Sequence, residues 1–189
     1  MTQSDNASHA DNQQERLIKF IGWIIGFVDG EGCFSINFVK QPTRKESFRI
    51  RRGYTTGYQI AHEFAVVQGE KSLPALRKLH KFFKVGAIYI NRRHDNHKEN
   101  LYRFSVTKRS DLGQVIIPFF QQNQLQTSKK NDFRLFVKCL KLMTNNQHLT
   151  RDGAIKIALL CEQMNHQKSR AEIIRILRNQ TSDSPRARR

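Results

Sequence analysis

The stretch Ile24-Ile25-Gly26-Phe27-Val28-Asp29-Gly30-Glu31-Gly32 is an apolar, helix-forming run that ends abruptly in acid and glycine. Gly22, Gly26 and Gly30 fall four residues apart, so on a helix they line one side as a nearly bare stripe. Each glycine costs ~1 kcal/mol relative to alanine inside a helix. Three in one helix point to close approach of a second backbone, the small-xxx-small logic of tightly packed membrane helices. Glu31 closes the run, where its charge opposes the negative end of the helix dipole. An acid set against that field is better explained by a cation than by stability.

A chain of 189 residues is large enough for one well-buried domain and small for two. Thirty-three Lys and Arg stand against 16 acids, a net charge of +17. The surplus favours polyanionic partners: DNA, RNA or anionic membrane. The longest apolar run, Ile21 to Val28, is far too short to span a bilayer, which leaves the membrane reading weak. The first fifteen residues carry Asp5, Asp11 and Glu15 but no Lys, Arg or apolar core, unlike a secretory signal or a transit peptide. The expected site of action is therefore the compartment of synthesis. Cys33, Cys139 and Cys161 form no disulfide framework or zinc pattern, and each reads as a small core residue. The pair His94-x-x-His97 lies in a polar loop with no third ligand nearby, and no metal role is assigned to it.

Met1 to Gln14 is polar and aperiodic and reads as a disordered lead-in. Glu15 to Val28 is helical by apolar spacing, and Phe34, Ile36 and Phe38 then alternate with a polar set, as in a half-buried strand. Lys40 to Arg52 reads as a basic hairpin, and Tyr58 to Gln68 as a returning strand. Ser72 to Phe83 is an amphipathic helix, Ala87 to Asn91 and Leu101 to Thr107 a second hairpin, and Asp111 to Phe120 another helix. Phe133 to Met143, Thr150 to Met164 and Ser169 to Leu177 follow as helices, and residues 181–189 as a basic tail. One domain is expected over residues 15–180.

The nine residues from Ile24 to Gly32 resemble the LAGLIDADG motif of homing endonucleases. The flanking words agree: Phe64-x-Val66-x-Gln68, Gly86-x-Ile88, and Leu125 leading to Lys129-x-x-Asp132-Phe133. The resemblance implies an α+β fold, an αββαββα core with a curved four-stranded antiparallel sheet laid across DNA, followed by C-terminal helices. A single motif implies a homodimer with two-fold symmetry, its motif helices packed through Gly22, Gly26 and Gly30; an isologous contact suits such a stripe. The family implies Mg2+, or another divalent cation such as Mn2+, with Glu31 as metal ligand and no small-molecule cofactor. Gln68 resembles the family's water-positioning residue and Lys129 its basic residue near the scissile phosphate, with Lys130 adjoining. A basic residue that some relatives place four after the glutamine falls here on Ser72, beside Lys71. Asp29, two residues before Glu31, points elsewhere on a helix and reads as structural, capping or bridging the motif.

Hard divalent ions prefer carboxylate, water and phosphate oxygens. Two Glu31 carboxylates brought to one axis repel unless metal lies between them. For DNA reading, Ser35, Asn37, Gln41, Gln59, Tyr89, Asn91, Arg103 and Ser105 are polar residues at alternate or loop-entry positions, suited to major-groove edges. Arg44, Arg49, Arg51, Arg52 and Arg92, with Arg93 and Lys98, would mostly set position on phosphates. The function expected is a site-specific endonuclease cutting a long pseudo-palindromic duplex by metal-assisted phosphodiester hydrolysis. An intron maturase and a non-catalytic regulator of the same fold are the alternatives, and a ribosomal-type RNA binder a fourth; none of these needs Glu31, Gln68 and Lys129 together. The coding genome is expected to be a chloroplast, a mitochondrion or a bacterium.

Overall fold

No glycine or proline interrupts residues 4–21, so a helix nucleated by the apolar motif propagates backwards unopposed. In the computed structural model, which describes residues 4–41, 44–51, 53–92, 99–164 and 169–179, helix α1 accordingly spans Ser4–Glu31. Residues 4–14 are thus helical, correcting the disordered lead-in expected there. The basic tail at 181–189, Arg52 and the His94/His97 loop lie outside the described residues.

Strand β1, Gly32–Lys40, begins with no intervening loop. That reversal demands glycine: a Cβ at Gly32 would stand 2.6 Å from the Val28 side chain and 2.7 Å from its carbonyl oxygen. β2 (Arg44–Glu46) and β3 (Arg49–Arg51) form the basic hairpin as a separate two-stranded sheet. β4 (Tyr58–Gly69), a 3-10 turn and α2 (Leu73–Phe83) follow, then β5 (Ala87–Asn91) and β6 (Leu101–Val106). β1, β4, β6 and β5 make one four-stranded antiparallel sheet in that order, the sheet that the family resemblance implies.

The next helical stretch joins α3 (Arg109–Asp111), a π turn at Leu112–Ile116 and α4 (Ile117–Gln122). The widening falls just before Pro118, which has no N–H to donate into that turn. α5 (Lys129–Thr144), α6 (Arg151–Glu162) and α7 (Ala171–Asn179) complete the chain. Thr150 caps α6, its hydroxyl accepting from the Gly153 amide at 3.1 Å.

The helices cover one face of the sheet. Phe34 and Ile36 from β1, Ile60, Phe64 and Val66 from β4, and Phe104 and Val106 from β6 are buried there against α1, α2, α4 and α5. Phe34 is the hub, its ring within 5.0–5.7 Å of Phe64, Phe120, Phe133 and Phe136. Such aromatic pairs contribute ~0.5–1.5 kcal/mol each beyond their area. The cluster fixes the start of β1, and hence the end of α1, against α5.

Candidate active site and nucleic-acid interface

Helix α1 has two unlike sides. Ile24 and Val28 are fully buried, and Phe20, Trp23 and Phe27 stack along the half-buried flank with ring centroids 5.3 and 5.1 Å apart. Gly22, Gly26 and Gly30 lie on the other side, exposed, and a Cβ built on any of them meets nothing within 4 Å. Together with Ile25, Asp29, Gln126 and Thr127 they line a shallow open groove. The stripe predicted from spacing is thus a continuous bare surface on the chain.

The end of that helix is fastened to the segment entering α5. Asp29 accepts from the backbone amides of Gln126 (2.7 Å) and Thr127 (3.3 Å) and from the Thr127 hydroxyl (2.7 Å). Its carboxylate bridges motif and loop, a bridging role of the kind read from its position. Lys129, the first residue of α5, returns the connection: its Nζ donates to the carbonyls of Val28 (3.0 Å) and Gly30 (3.3 Å). A cation on the last carbonyls of a helix meets both their unsatisfied lone pairs and the dipole. Lys130 instead reaches the side-chain oxygen of Gln124 at 2.7 Å, away from the motif. Of the two adjacent lysines, Lys129 is the one at the helix end.

Glu31 is the last residue of α1 and is exposed, and among the described residues no hydrogen bond or ion pair engages it. Gly32 pairs with Val66, so β4 runs on past the motif and carries Gln68 alongside the end of α1. Gln68 shares strand parity with Phe64 and Val66, on the helix-covered side, and pairs with Tyr102. Lys71 is ion-paired with Glu99 at 2.7 Å, next to the position where some relatives carry a further basic residue.

Among the described residues no cluster of three or more His, Cys, Asp or Glu side chains gathers. A single free carboxylate among the described residues, that of Glu31, therefore stands at the motif end. That donor set fits a hard divalent cation completed largely by phosphate and water oxygens, rather than a closed zinc cage.

The opposite face of the sheet holds no part of this core, although Ala65 and the predicted base reader Ser105 at its centre are buried. Register and parity bring Ser35, Asn37, Gln59, Tyr89, Asn91, Arg103 and Ser105 onto this one face, with Gln41 at its edge donating to the Gln59 side chain at 3.3 Å. Arg92 follows β5 and is exposed, while the register of the small hairpin sets Arg44 opposite Arg51 and Arg49 opposite Glu46. Two residues were misjudged or missed. Cys139 and Cys161 are core residues as expected, but Cys33 is exposed, because a strand starting at Gly32 sends its odd positions outward. Partial burial raises its thiol pKa and the nearby Lys129 ammonium opposes this. Glu63 also stands on this face, accepting from the Arg103 guanidinium and, at 2.5 Å, from the Ser105 hydroxyl. Strand alternation through Ile60, Phe64 and Val66 was the signal that could have found it.

A family model described as LAGLIDADG endonuclease matches residues 24–140. The chain belongs to that family. Among curated proteins, a LAGLIDADG-type chain of this kind is similar to probable intron-encoded endonuclease 2 of Neurospora crassa, 32% identical over 71% of this chain and 25% of the relative. It is also similar to an uncharacterized 50.9 kDa protein in ND4 intron 1 of Podospora anserina, 30% identical over 68% of this chain. The chain spans about a quarter of the length of these relatives. Among solved structures, the homing endonuclease I-TnaI is 33% identical with a TM-score of 0.65, over 84% of this chain and 95% of that one. I-SmaMI bound to cleaved DNA is 31% identical with a TM-score of 0.64, over 79% of this chain and 45% of that one. No described helix is long and apolar enough to cross a membrane.

Proposed function

We propose that this LAGLIDADG chain is a homing endonuclease that acts as a homodimer on a long, pseudo-palindromic duplex, hydrolysing one phosphodiester in each strand with a divalent cation, Mg2+ or Mn2+. The observation that carries the reading is the convergence at the end of α1: an unengaged Glu31 carboxylate, the Lys129 ammonium on the same helix end, and a glycine stripe open beside them. Neither a maturase nor a regulator requires that combination. The names of the relatives support a DNA endonuclease and an origin within an organelle intron, and the DNA-bound state of I-SmaMI supports duplex DNA as partner.

In the dimer, two α1 helices meet along Gly22, Gly26 and Gly30 and bring their Glu31 carboxylates to the axis, between the two scissile phosphates. Glu31 would hold the cation there, and a bound cation would supply Lewis acidity at the scissile phosphate. Gln68 orients the attacking water, and Lys129 stabilises the charge that develops on phosphate and leaving oxygen. The outer sheet face lies in the major groove, with Ser35, Asn37, Gln41, Gln59, Tyr89, Asn91 and Arg103 toward base edges, while Ser105 is buried and donates to Glu63, supporting the face from beneath rather than reading a base. Arg44, Arg49, Arg51, Arg52 and Arg92 track phosphates.

The test is a cleavage selection on randomised duplexes with Mg2+, with Glu31→Gln in parallel and the cut ends sequenced. A partly two-fold symmetric consensus cut only by the parent protein is expected, with duplex affinity of the variant largely intact. Cutting by Glu31→Gln at a near-parental rate would remove Glu31 as the metal ligand. Duplexes bound but uncut by the parent would favour a regulator, and specific binding of intron RNA alone a maturase.

A further inference from the structure

A carboxylate on the outer face of the sheet is out of place. The chain carries a net charge of +17, and among the described strand residues of this face Glu63 is the one acid. It stands in β4, a central strand, with its side chain 18% exposed, and the Arg103 side chain bound to it is 36% exposed. Its two oxygens divide the work: one accepts from Arg103, the other from Ser105. Each oxygen keeps a further lone pair, and the guanidinium keeps most of its five N–H donors. Toward any polyanion such a carboxylate is repulsive, so it lowers general affinity rather than raising it. Discrimination between partners, however, is built from repulsion as well as attraction.

We propose that Glu63 is a specificity-determining residue: it holds Arg103 as the reader of one G·C pair in each half-site and itself accepts from the cytosine amino group. This rests on the reading of the outer face as the DNA-binding surface. Bound side by side, the guanidinium fork and the carboxylate present two donors and then an acceptor. The major-groove edge of G·C presents the complement, acceptors at guanine N7 and O6 and then the cytosine N4 donor. An A·T pair presents acceptor, donor, acceptor, which sets the carboxylate against the thymine O4. Without Glu63 the guanidinium is free to settle on a phosphate, a contact that carries no sequence information. Ser105 fixes the second oxygen and so the carboxylate plane.

The experiment is a binding selection on randomised duplexes, with no cleavage required, using the full chain, Glu63→Gln and Arg103→Lys. Glu63→Gln keeps size and shape; Arg103→Lys keeps the ion pair but lacks the fork. The parent is expected to fix a G·C pair in each half-site. Both variants should lose preference at that same position by about tenfold or more, with the other positions unchanged, and Glu63→Gln should bind unselected duplexes more tightly. A purely structural ion pair would lower the thermal midpoint of Glu63→Gln and leave its consensus intact, which overturns the proposal. Retention of the G·C preference by Arg103→Lys, or losses at different positions in the two variants, overturns it equally. A parent protein with no consensus at all removes this inference together with the DNA-binding reading, whereas an unaltered consensus in Glu63→Gln removes this inference alone.

Discussion

Alanine at position 26 separates the two consequences of the glycine stripe, because they have opposite signs. Within one protomer the site is helical, and an added Cβ meets no atom within 4 Å. Gly26→Ala therefore removes a helix-propensity penalty and stabilises the isolated protomer by ~1 kcal/mol. In a two-fold interface the same methyl enters twice, once from each helix. Overpacking a close contact costs about 1–3 kcal/mol per site. Two methyls then weaken association by roughly 2–6 kcal/mol, raising the dimer dissociation constant by about thirtyfold to about twenty-thousandfold. Sedimentation equilibrium reads the association, and urea unfolding at low protein concentration reads the protomer, since dimer stability depends on concentration. The two should move in opposite directions, and Gly26→Leu should leave only monomers. A variant more stable as a protomer that dimerises as tightly as its parent would refute the helix-to-helix seam, as would a stable dimer of Gly26→Leu.

Asp29→Ala removes a charged acceptor of hydrogen bonds at the motif loop and should lower stability by ~1.5–3 kcal/mol; Asp29→Asn, with one oxygen able to accept where the carboxylate uses two, should lose part of that stability and still cut, and a loss of cutting far beyond the loss of stability would assign Asp29 to the metal instead. Lys129→Met should reduce single-turnover cleavage by about a hundredfold or more, the scale of a lost transition-state donor, while Lys130→Met changes little; equal effects would dissolve the distinction between them. Stability should also fall in acid. His62 and His148 are depressed below the ordinary histidine value of 6.5, first by burial and then by the charge of Arg109. The unfolded chain therefore takes up more protons than the folded one below pH 6.5, and the stability present above that pH is lost as pH falls through and below it. Urea midpoints at pH 7.5 and 5.5 measure this, and replacing both histidines with glutamine should flatten the difference; a parent midpoint that does not move would show that neither group is depressed.

The element order was legible because apolar period changes cleanly from helical to alternating at Gly32 and back again at Leu73. The start of α1 was not, because a polar run without breakers carries no mark of its own, and its helicity is inherited from the motif downstream. Cys33 was misjudged for a related reason: in a run that is apolar on both sides of the turn, only the residue at which the strand begins decides which way each side chain points. Lys129 and Lys130 stand next to each other in the same motif word, and spacing alone could not choose between them. One residue of helix rotation, about 100°, does choose, sending the first to the α1 carbonyls and the second to Gln124. Glu63 and Arg103 are 40 residues apart, and their meeting depends on a register that no local pattern encodes.

The Asp29 and Lys129 contacts join residues 97 to 101 positions apart in the chain. The carboxylate of Glu31 thus takes its final direction from a segment that leaves the ribosome long after the motif helix itself. A chain halted after α4 would hold every strand of the four-stranded sheet and the whole of α1, yet its motif end would be untied. Fold and competence would then mature at different times: with the sheet already formed, the last step closes only the short span between α4 and Gln126, so the motif end is tied late in synthesis at little further loop-closure cost.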